Sequence, residues 1–401
     1  MNPLQPEKEF ILRCMRALIF RRSLCVEMDS GFLQQFDWDW IVRTTYYHHL
    51  LGFVAFILGK ANLLTHLDHG IQNKLKAGLL KSELKNQLKQ QQFQEVNRIL
   101  KTSSIAVIPL KGVALTHLIY EDVPVRRMGD IDVLVRQGDL SEAFRLLARA
   151  GFCRIDTEQS KNRWHENIYA QTHSLWEDPV LGRVPLFRDE IELDLHFNPR
   201  YRIDQKYIEM DIAGIWQRAQ PFPKLGLNVF TLDPKDLVRH LLFHTLEFNK
   251  PRLIQVLDTA CVIEKYKIPR SEILDQMNVA PRSSQSDAFV NAIQELAHTG
   301  PVNADFSPEA MQVFERFFSR ESIPDQTQEA FIDTQDSVLG RVAFKKIRSP
   351  WKRLVFIAGY LFPNPDYYRQ KGTKLLYLTH WWVLLSKVWR LVFPKKHNKQ
   401  Q

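Results

Sequence analysis

The spacing of hydrophobic residues changes twice along this chain. Residues 7–103 carry apolar positions at helical intervals, and a glutamine-rich stretch within them keeps a stripe of apolar side chains. From residue 104 short apolar strands alternate with helices, and beyond Pro199 the helical spacing returns. This order predicts an α+β fold, with a mixed sheet-and-helix core between two helical regions.

The middle part reads as strand, helix, strand, helix and strand over the segments IAVIPL, GVALTHLIY, DIDVLV, SEAFRLLARAG and FCRID. Further strands are expected near residues 169–177 and 184–188, and over EIELDLHF. Beyond Pro199 the chain is expected to return directly to helices, one of them capped by Asp233 before Pro234. We therefore divide the chain into residues 1–103, 104–200, 201–340 and 341–401.

Acidic residues follow the apolar alternation on two of the predicted strands. Asp130 and Asp132 are two residues apart, so they share one strand face while their apolar neighbours point to the other. The same alternation aligns Glu192, Asp194 and His196 on the second strand. Two neighbouring strands of this kind would form an oxygen-rich pocket for hard divalent cations, which phosphoryl or nucleotidyl transfer requires.

Lys111 and Gly112 stand where a predicted strand ends and a helix begins. Free backbone N–H groups and the positive end of the helix dipole could face a phosphate there, and Gly112 permits close approach of the backbone. An ordinary turn with an exposed lysine explains the same residues equally well. Arg126 is a second candidate for phosphate contact because its guanidinium matches phosphate oxygens, whereas Arg127 is expected to face solvent.

The order and spacing of these segments resemble a known family. PLKGVAL, Arg126 in RRMGDIDVLV, ELDLHF and the later LDPKDLVRHLLFHTLEFNKPRLIQVLDTACVI resemble the uncharacterised nucleotidyltransferase family of the polymerase-beta-like nucleotidyltransferase superfamily, over roughly residues 35–265. In the superfamily a Gly-Ser pair usually opens the motif and binds the triphosphate, and here Lys111-Gly112 stands in its place. The resemblance implies that Lys111, Gly112 and Arg126 bind the nucleotide.

The resemblance also implies a reaction and a set of metal ligands. It predicts a Mg²⁺-dependent nucleotidyltransferase with residues 104–200 as catalytic core, which transfers a nucleoside monophosphate from an NTP such as ATP and releases pyrophosphate. Asp130, Asp132 and Asp194 would hold two Mg²⁺ ions, and Asp194 would help to deprotonate the attacking hydroxyl. His196 would orient Asp194, relay its proton or make a structural hydrogen bond, and Glu192 is the rival third acid.

Other catalytic signatures are absent from the sequence, which contains no GxSxG, GxGxxG or GxxxxGK[ST] motif. His240 and His244 have the spacing of metal ligands on a helix, but the glutamate of HExxH is missing, so packing is the favoured role. The acceptor stays open between a protein, a sugar and a small metabolite. A catalytically weak protein that binds a nucleotide or a partner on the same scaffold is the alternative function.

Composition indicates a globular cytoplasmic protein. Apolar residues make up 45% of the 401 positions, enough for a sizeable core. The longest nearly uncharged apolar run, residues 50–59, is about half the length of a membrane-spanning helix, and a secretory signal is not expected at the N-terminus. The four cysteines, Cys14, Cys25, Cys153 and Cys261, are far apart, which argues against a zinc site or a disulfide framework.

The net charge of +9 arises from the last 61 residues. Residues 341–401 contain 14 Lys and Arg against one acid, Asp366, so residues 1–340 carry a net charge of −4. Tryptophans alternate with these basic residues, as in helices that lie on anionic membranes. The tail is expected either to pack on the helical region or to contact the inner membrane surface, and nucleic-acid binding ranks third.

Overall fold

A computed structural model describes residues 5–20, 33–121, 125–152, 183–188, 191–203, 206–247, 252–277, 284–297 and 305–318. They belong to one compact unit, formed by Met1–Phe152 and Val180–Ala330. The strand predicted near 169–177, most of FCRID and the basic tail 341–401 lie outside the described residues. Those expectations, and the division into four regions, remain predictions.

The N-terminal region is helical, as its apolar spacing predicts. Its helices are α1 (Gln5–Ile19), α2 (Trp38–Tyr47), α3 (Leu51–Lys60) and α4 (His69–Lys101). Aspartates cap two of them, because the Asp37 carboxylate accepts from the Trp40 N–H at 2.9 Å and Asp68 accepts from the Gly70 N–H at 2.7 Å. The glutamine-rich stretch noted in the sequence forms the second half of α4.

A four-stranded mixed sheet follows, and two described helices lie between its strands. The strands are β1 (Val107–Leu110), β2 (Ile131–Val135), β3 (Arg183–Arg188) and β4 (Ile191–His196), in the order β1-β2-β4-β3. The central pair β2–β4 is parallel, and the two outer pairs are antiparallel. Helix α5 (Lys111–Leu118) follows β1 directly, and α6 (Leu140–Arg149) follows β2. The protein is therefore α+β, as predicted.

Both faces of this sheet are covered. Alternate residues of the two central strands, such as Ile131, Val133 and Leu195, belong to a core that includes Phe93 of α4 and Leu147 of α6. Side chains on the opposite face of β1 and β2 belong instead to the large helical core. The acidic residues of β2 and β4 lie on this second face, where Asp132 and Asp194 are buried between the sheet and the helical part of the chain.

The segment after Pro199 departs from the prediction of helices alone. It forms two short antiparallel pairs, β5 (Arg200–Ile203) with β6 (Lys206–Glu209) and β7 (Gln220–Pro221) with β8 (Phe230–Thr231), with helix α7 (Ile212–Arg218) between them. Strands of two to four residues are too short for an apolar alternation to distinguish them from loops.

Five further helices complete the described part: α8 (Pro234–Glu247), α9 (Leu253–Tyr266), α10 (Arg270–Met277), α11 (Ser284–Leu296) and α12 (Pro308–Phe318). The predicted cap of α8 is present, since the Asp233 carboxylate accepts from the Lys235 N–H at 3.0 Å. Among the described residues, no helix combines the length and apolar character needed to cross a bilayer.

Candidate active site

Two aspartates face each other across the central parallel strands. In the β2–β4 register Asp132 lies opposite Asp194, and the two residues are 1% and 7% exposed. Asp130 comes just before β2 and is half-buried, as is Glu192, which shares the face of Asp194. The sheet therefore gathers the predicted acids from the two strands that the sequence indicated, and it buries Asp132 most deeply.

Lys111 reaches the same carboxylates from the neighbouring strand. Residue Leu110, the last of β1, pairs with Asp132, so the first residue of α5 begins beside that aspartate. The Lys111 Nζ donates to Asp132 Oδ1 at 2.7 Å, and the backbone of Lys111 has a φ of 48°. The backbone of a residue other than glycine is strained in this left-handed region, and such strain is characteristic of functional turns.

His196 and Arg183 complete the contacts of the two aspartates. His196 Nε2 donates to Asp132 Oδ1 at 2.8 Å, and its Nδ1 is buried without a hydrogen-bond partner among the described residues. Arg183, on β3, donates to the Asp194 carboxylate. His196 thus contacts Asp132 on the neighbouring strand, whereas the sequence left open whether it orients Asp194, relays a proton or makes a structural hydrogen bond.

The carboxyl groups differ in their electrostatics. Repulsion from Asp132, followed by burial, raises the pKa of Asp130. Burial acts to raise the pKa of Asp132 too, but the Lys111 ammonium and the His196 imidazole hold that pKa well below its usual value. Burial acts to lower the pKa of Lys111, yet the charges of Asp132 and Asp130 raise it. Lys111 is therefore a charged counter-ion inside the acidic site.

The residues fit a divalent cation. Asp132, Asp194 and His196 each offer one ligand atom, and these atoms lie within 4.8 Å of one another. Two carboxylates suit Mg²⁺ or Mn²⁺, and an imidazole adds a nitrogen ligand that transition metals accept more readily. Asp130 adds negative charge at the edge of this group, consistent with the repulsion that raises its pKa.

Gly112 and Arg126 meet behind the turn at Lys111. A Cβ atom on Gly112 would lie 2.8 Å from Arg126 NH1 and 2.9 Å from Met128 Cγ, so only glycine allows these side chains to approach the backbone. The other guanidinium nitrogens of Arg126 bind Asp258, with NH2 donating to Oδ2 at 2.8 Å. Arg126 is consequently held by Asp258, with its NH1 towards the turn.

Three residues of this site were not anticipated from the sequence. Asp258 and Tyr120 join Arg126 in a buried network, and Arg183 binds Asp194. Asp258 carries a recognisable signal, because it is an acid in the otherwise apolar segment LIQVLDTACVI and such a residue needs a buried partner. Arg183 lies in a polar segment without clear periodicity and offers no comparable signal.

The two histidines of α8 have the packing role that the sequence favoured. His240 is 1% exposed and forms a hydrogen bond with Tyr201, and its ring stacks on His244 with centroids 6.3 Å apart. Burial lowers the pKa of His240 to about 3, so its ring is neutral.

Comparison with known proteins identifies a family. A family model described as uncharacterised nucleotidyltransferase matches residues 34–288, which is more than half of the chain and includes all of the residues around Asp132. No curated protein and no solved structure shows a significant match.

Proposed function

The chain belongs to the family of uncharacterised nucleotidyltransferases, and from this we propose that it transfers a nucleoside monophosphate from an NTP to an acceptor and releases pyrophosphate. The acceptor would offer a hydroxyl or a phosphate on a protein, a sugar or a small metabolite. The proposal rests chiefly on one observation, the position of Asp132 opposite Asp194 across a parallel strand pair with Lys111 beside them.

The carboxylates are proposed to bind divalent metal. Asp130, Asp132 and Asp194 would be its oxygen ligands, as expected for Mg²⁺, and His196 would contribute a ring nitrogen. A bound divalent ion supplies charge that neutralises the triphosphate and stabilises the transition state. The Lys111 ammonium contacts Asp132 Oδ1 at 2.7 Å, and a phosphate bound beside the metal would offer it a second negative partner.

The turn at the start of α5 is proposed to bind the triphosphate. The N-cap residue of α5 offers no side-chain hydrogen bond, so its first N–H groups are available to an anion. Arg126 NH1 lies on the same turn, next to Gly112. Asp194 is proposed to accept the proton of the attacking hydroxyl.

Release of pyrophosphate from each NTP, with Mg²⁺ or Mn²⁺ present, tests this function. The variants Asp132→Asn and Asp194→Asn should abolish metal-dependent release and weaken Mn²⁺ binding, measured by electron paramagnetic resonance. Asp39→Asn is the matched control, because Asp39 is an exposed acid that pairs with Lys74. Nucleotide binding without turnover in the wild-type protein would favour the alternative of a nucleotide-binding scaffold.

A further inference from the structure

Two basic side chains lie over one exposed tyrosine near the candidate active site, and a third is close to them on α4. The Lys81 Nζ and the Arg127 guanidinium carbon lie 5.5 and 5.7 Å from the centre of the Tyr46 ring. Lys85 is one turn further along α4 than Lys81, so it shares the same helix face. We call Lys81, Lys85 and Arg127 the cationic cluster.

The charges within the cluster repel one another. Burial, and then the positive charges of Arg127, Lys81 and Lys89, lower the pKa of Lys85. Burial acts to raise the pKa of Tyr46, but Lys81 and Arg127 lower it. The described cations that act on Lys85 therefore make its ammonium less stable, and the Tyr46 hydroxyl opposes this effect.

The cluster lacks carboxylate partners in the described part of the chain. None of its three cations forms an ion pair there, whereas Lys74, two turns earlier on α4, binds Asp39 at 2.8 Å. Arg252 adds to the positive field, since its NH1 donates to His49 Nε2 at 2.7 Å, and both Arg252 and Arg127 help to lower the pKa of His49. A concentration of like charge that no described side chain neutralises is suited to binding an anion.

The position of the cluster connects it to the acidic site. The Asn86 side chain of α4 accepts from the Met128 N–H at 3.0 Å, which fixes the segment before β2 against the helix. Arg127 directly precedes Met128, and the three Cα–Cα steps from Arg127 to Asp130 span at most about 11 Å. A ligand on the cluster would thus lie within reach of the acidic residues.

We propose that the cationic cluster, with the Tyr46 ring beside it, binds a phosphate group of a substrate of this enzyme. This inference rests on the proposed nucleotidyltransferase function. The phosphate belongs either to the acceptor or to the triphosphate of the NTP, and the chemistry of recognition is the same in both cases. Charge-assisted hydrogen bonds from Arg127 and the two lysines would hold the phosphate oxygens, while the exposed Tyr46 ring offers a surface for stacking.

The test measures binding of inorganic phosphate to the full-length protein at low ionic strength, by phosphorus NMR titration. The variant Lys81→Gln/Lys85→Gln removes two charges of the cluster. Its matched control is Lys74→Gln/Lys76→Gln, which removes two charges from exposed positions of the same helix. Loss of charge-assisted contacts should weaken phosphate binding by about tenfold or more in the cluster variant, whereas the control should bind phosphate like wild type.

A second arm identifies the source of the phosphate. A non-hydrolysable ATP analogue with Mn²⁺ should bind the cluster variant as it binds wild type if the acceptor carries the phosphate. A matching loss of analogue affinity would assign the cluster to the triphosphate instead. Phosphate binding that is absent in wild type, or equal in the cluster and control variants, would overturn the inference.

The same experiment separates this inference from the proposed function. Phosphate binding by the cluster does not require turnover, so a protein that binds phosphate there but releases no pyrophosphate would contradict the proposed function alone. Turnover together with unaffected phosphate binding in the cluster variant would contradict only the present inference. The variant should also be at least as resistant to heat as wild type without phosphate, because it relieves repulsion.

Discussion

The buried network around Asp258 allows a quantitative test of how the helices support the candidate active site. Asp258 accepts from Arg126 Nε at 3.0 and 3.1 Å and from NH2 at 2.8 Å, and the Tyr120 hydroxyl donates to it at 2.7 Å. The side chains of Arg126 and Asp258 are only 10% and 2% exposed. This ion pair therefore joins α9 to the segment before β2 with little access of water.

The perturbation is Asp258→Asn, which keeps the shape of the side chain and removes its charge. Burial acts to lower the pKa of Arg126, but Asp258 raises it, so the guanidinium would remain charged and lose its buried counter-ion. Removal of one partner from a buried pair costs about 3–5 kcal/mol of the free energy of unfolding. For a chain of 401 residues we expect the thermal midpoint to fall by roughly 5 °C.

Urea and thermal unfolding of the full-length protein measure this loss. The double variant Arg126→Met/Asp258→Asn should recover part of the stability, because it removes both buried charges. Asp39→Asn, at an exposed ion pair, should leave the midpoint unchanged. A loss below about 1 kcal/mol for Asp258→Asn, or a double variant as unstable as the sum of the single ones, would refute the reasoning.

Three further predictions concern the turn and a buried histidine. Gly112→Ala should lower the free energy of unfolding by about 1–3 kcal/mol, because the Cβ atom of the alanine would press on Arg126 NH1. If the variant has the stability and the nucleotide affinity of wild type, the turn has room for a side chain and the prediction is wrong. Lys111→Met should destabilise the metal-free protein and tighten Mn²⁺ binding, since the Asp132 charge is released, and unchanged Mn²⁺ affinity would contradict this. Burial lowers the pKa of His48 to about 3, so the unfolded state binds more protons than the folded state between pH 6.5 and 3. The free energy of unfolding therefore decreases as the pH is lowered, by about 2 kcal/mol at pH 5. The variant His48→Gln should lose less stability than wild type between pH 7 and pH 5, as measured by unfolding in urea.

The sequence by itself predicted the longer helices and the two strands that carry Asp132 and Asp194, but not the short strands after Pro199. Alternation over DIDVLV and EIELDLHF requires only the period of a strand, so it placed Asp132 and Asp194 on polar faces of their strands correctly. Helical spacing and caps such as Asp233 are also local properties. The change from strand to helix at Lys111, where α5 starts, is also a local property, so the sequence was sufficient to predict it.

Only the tertiary structure decided which of these residues meet and what neutralises them. The register of β2 against β4 places Asp132 opposite Asp194, and no local pattern specifies a pairing between strands so far apart in the chain. Arg126 was expected to contact phosphate, and its pairing with Asp258 depends on the docking of α9. Arg127 was expected to face solvent, yet it lies over Tyr46 because α2, α4 and the segment before β2 come together there. Long-range packing decides such contacts, since buried charges take whichever partners the folded chain brings within reach.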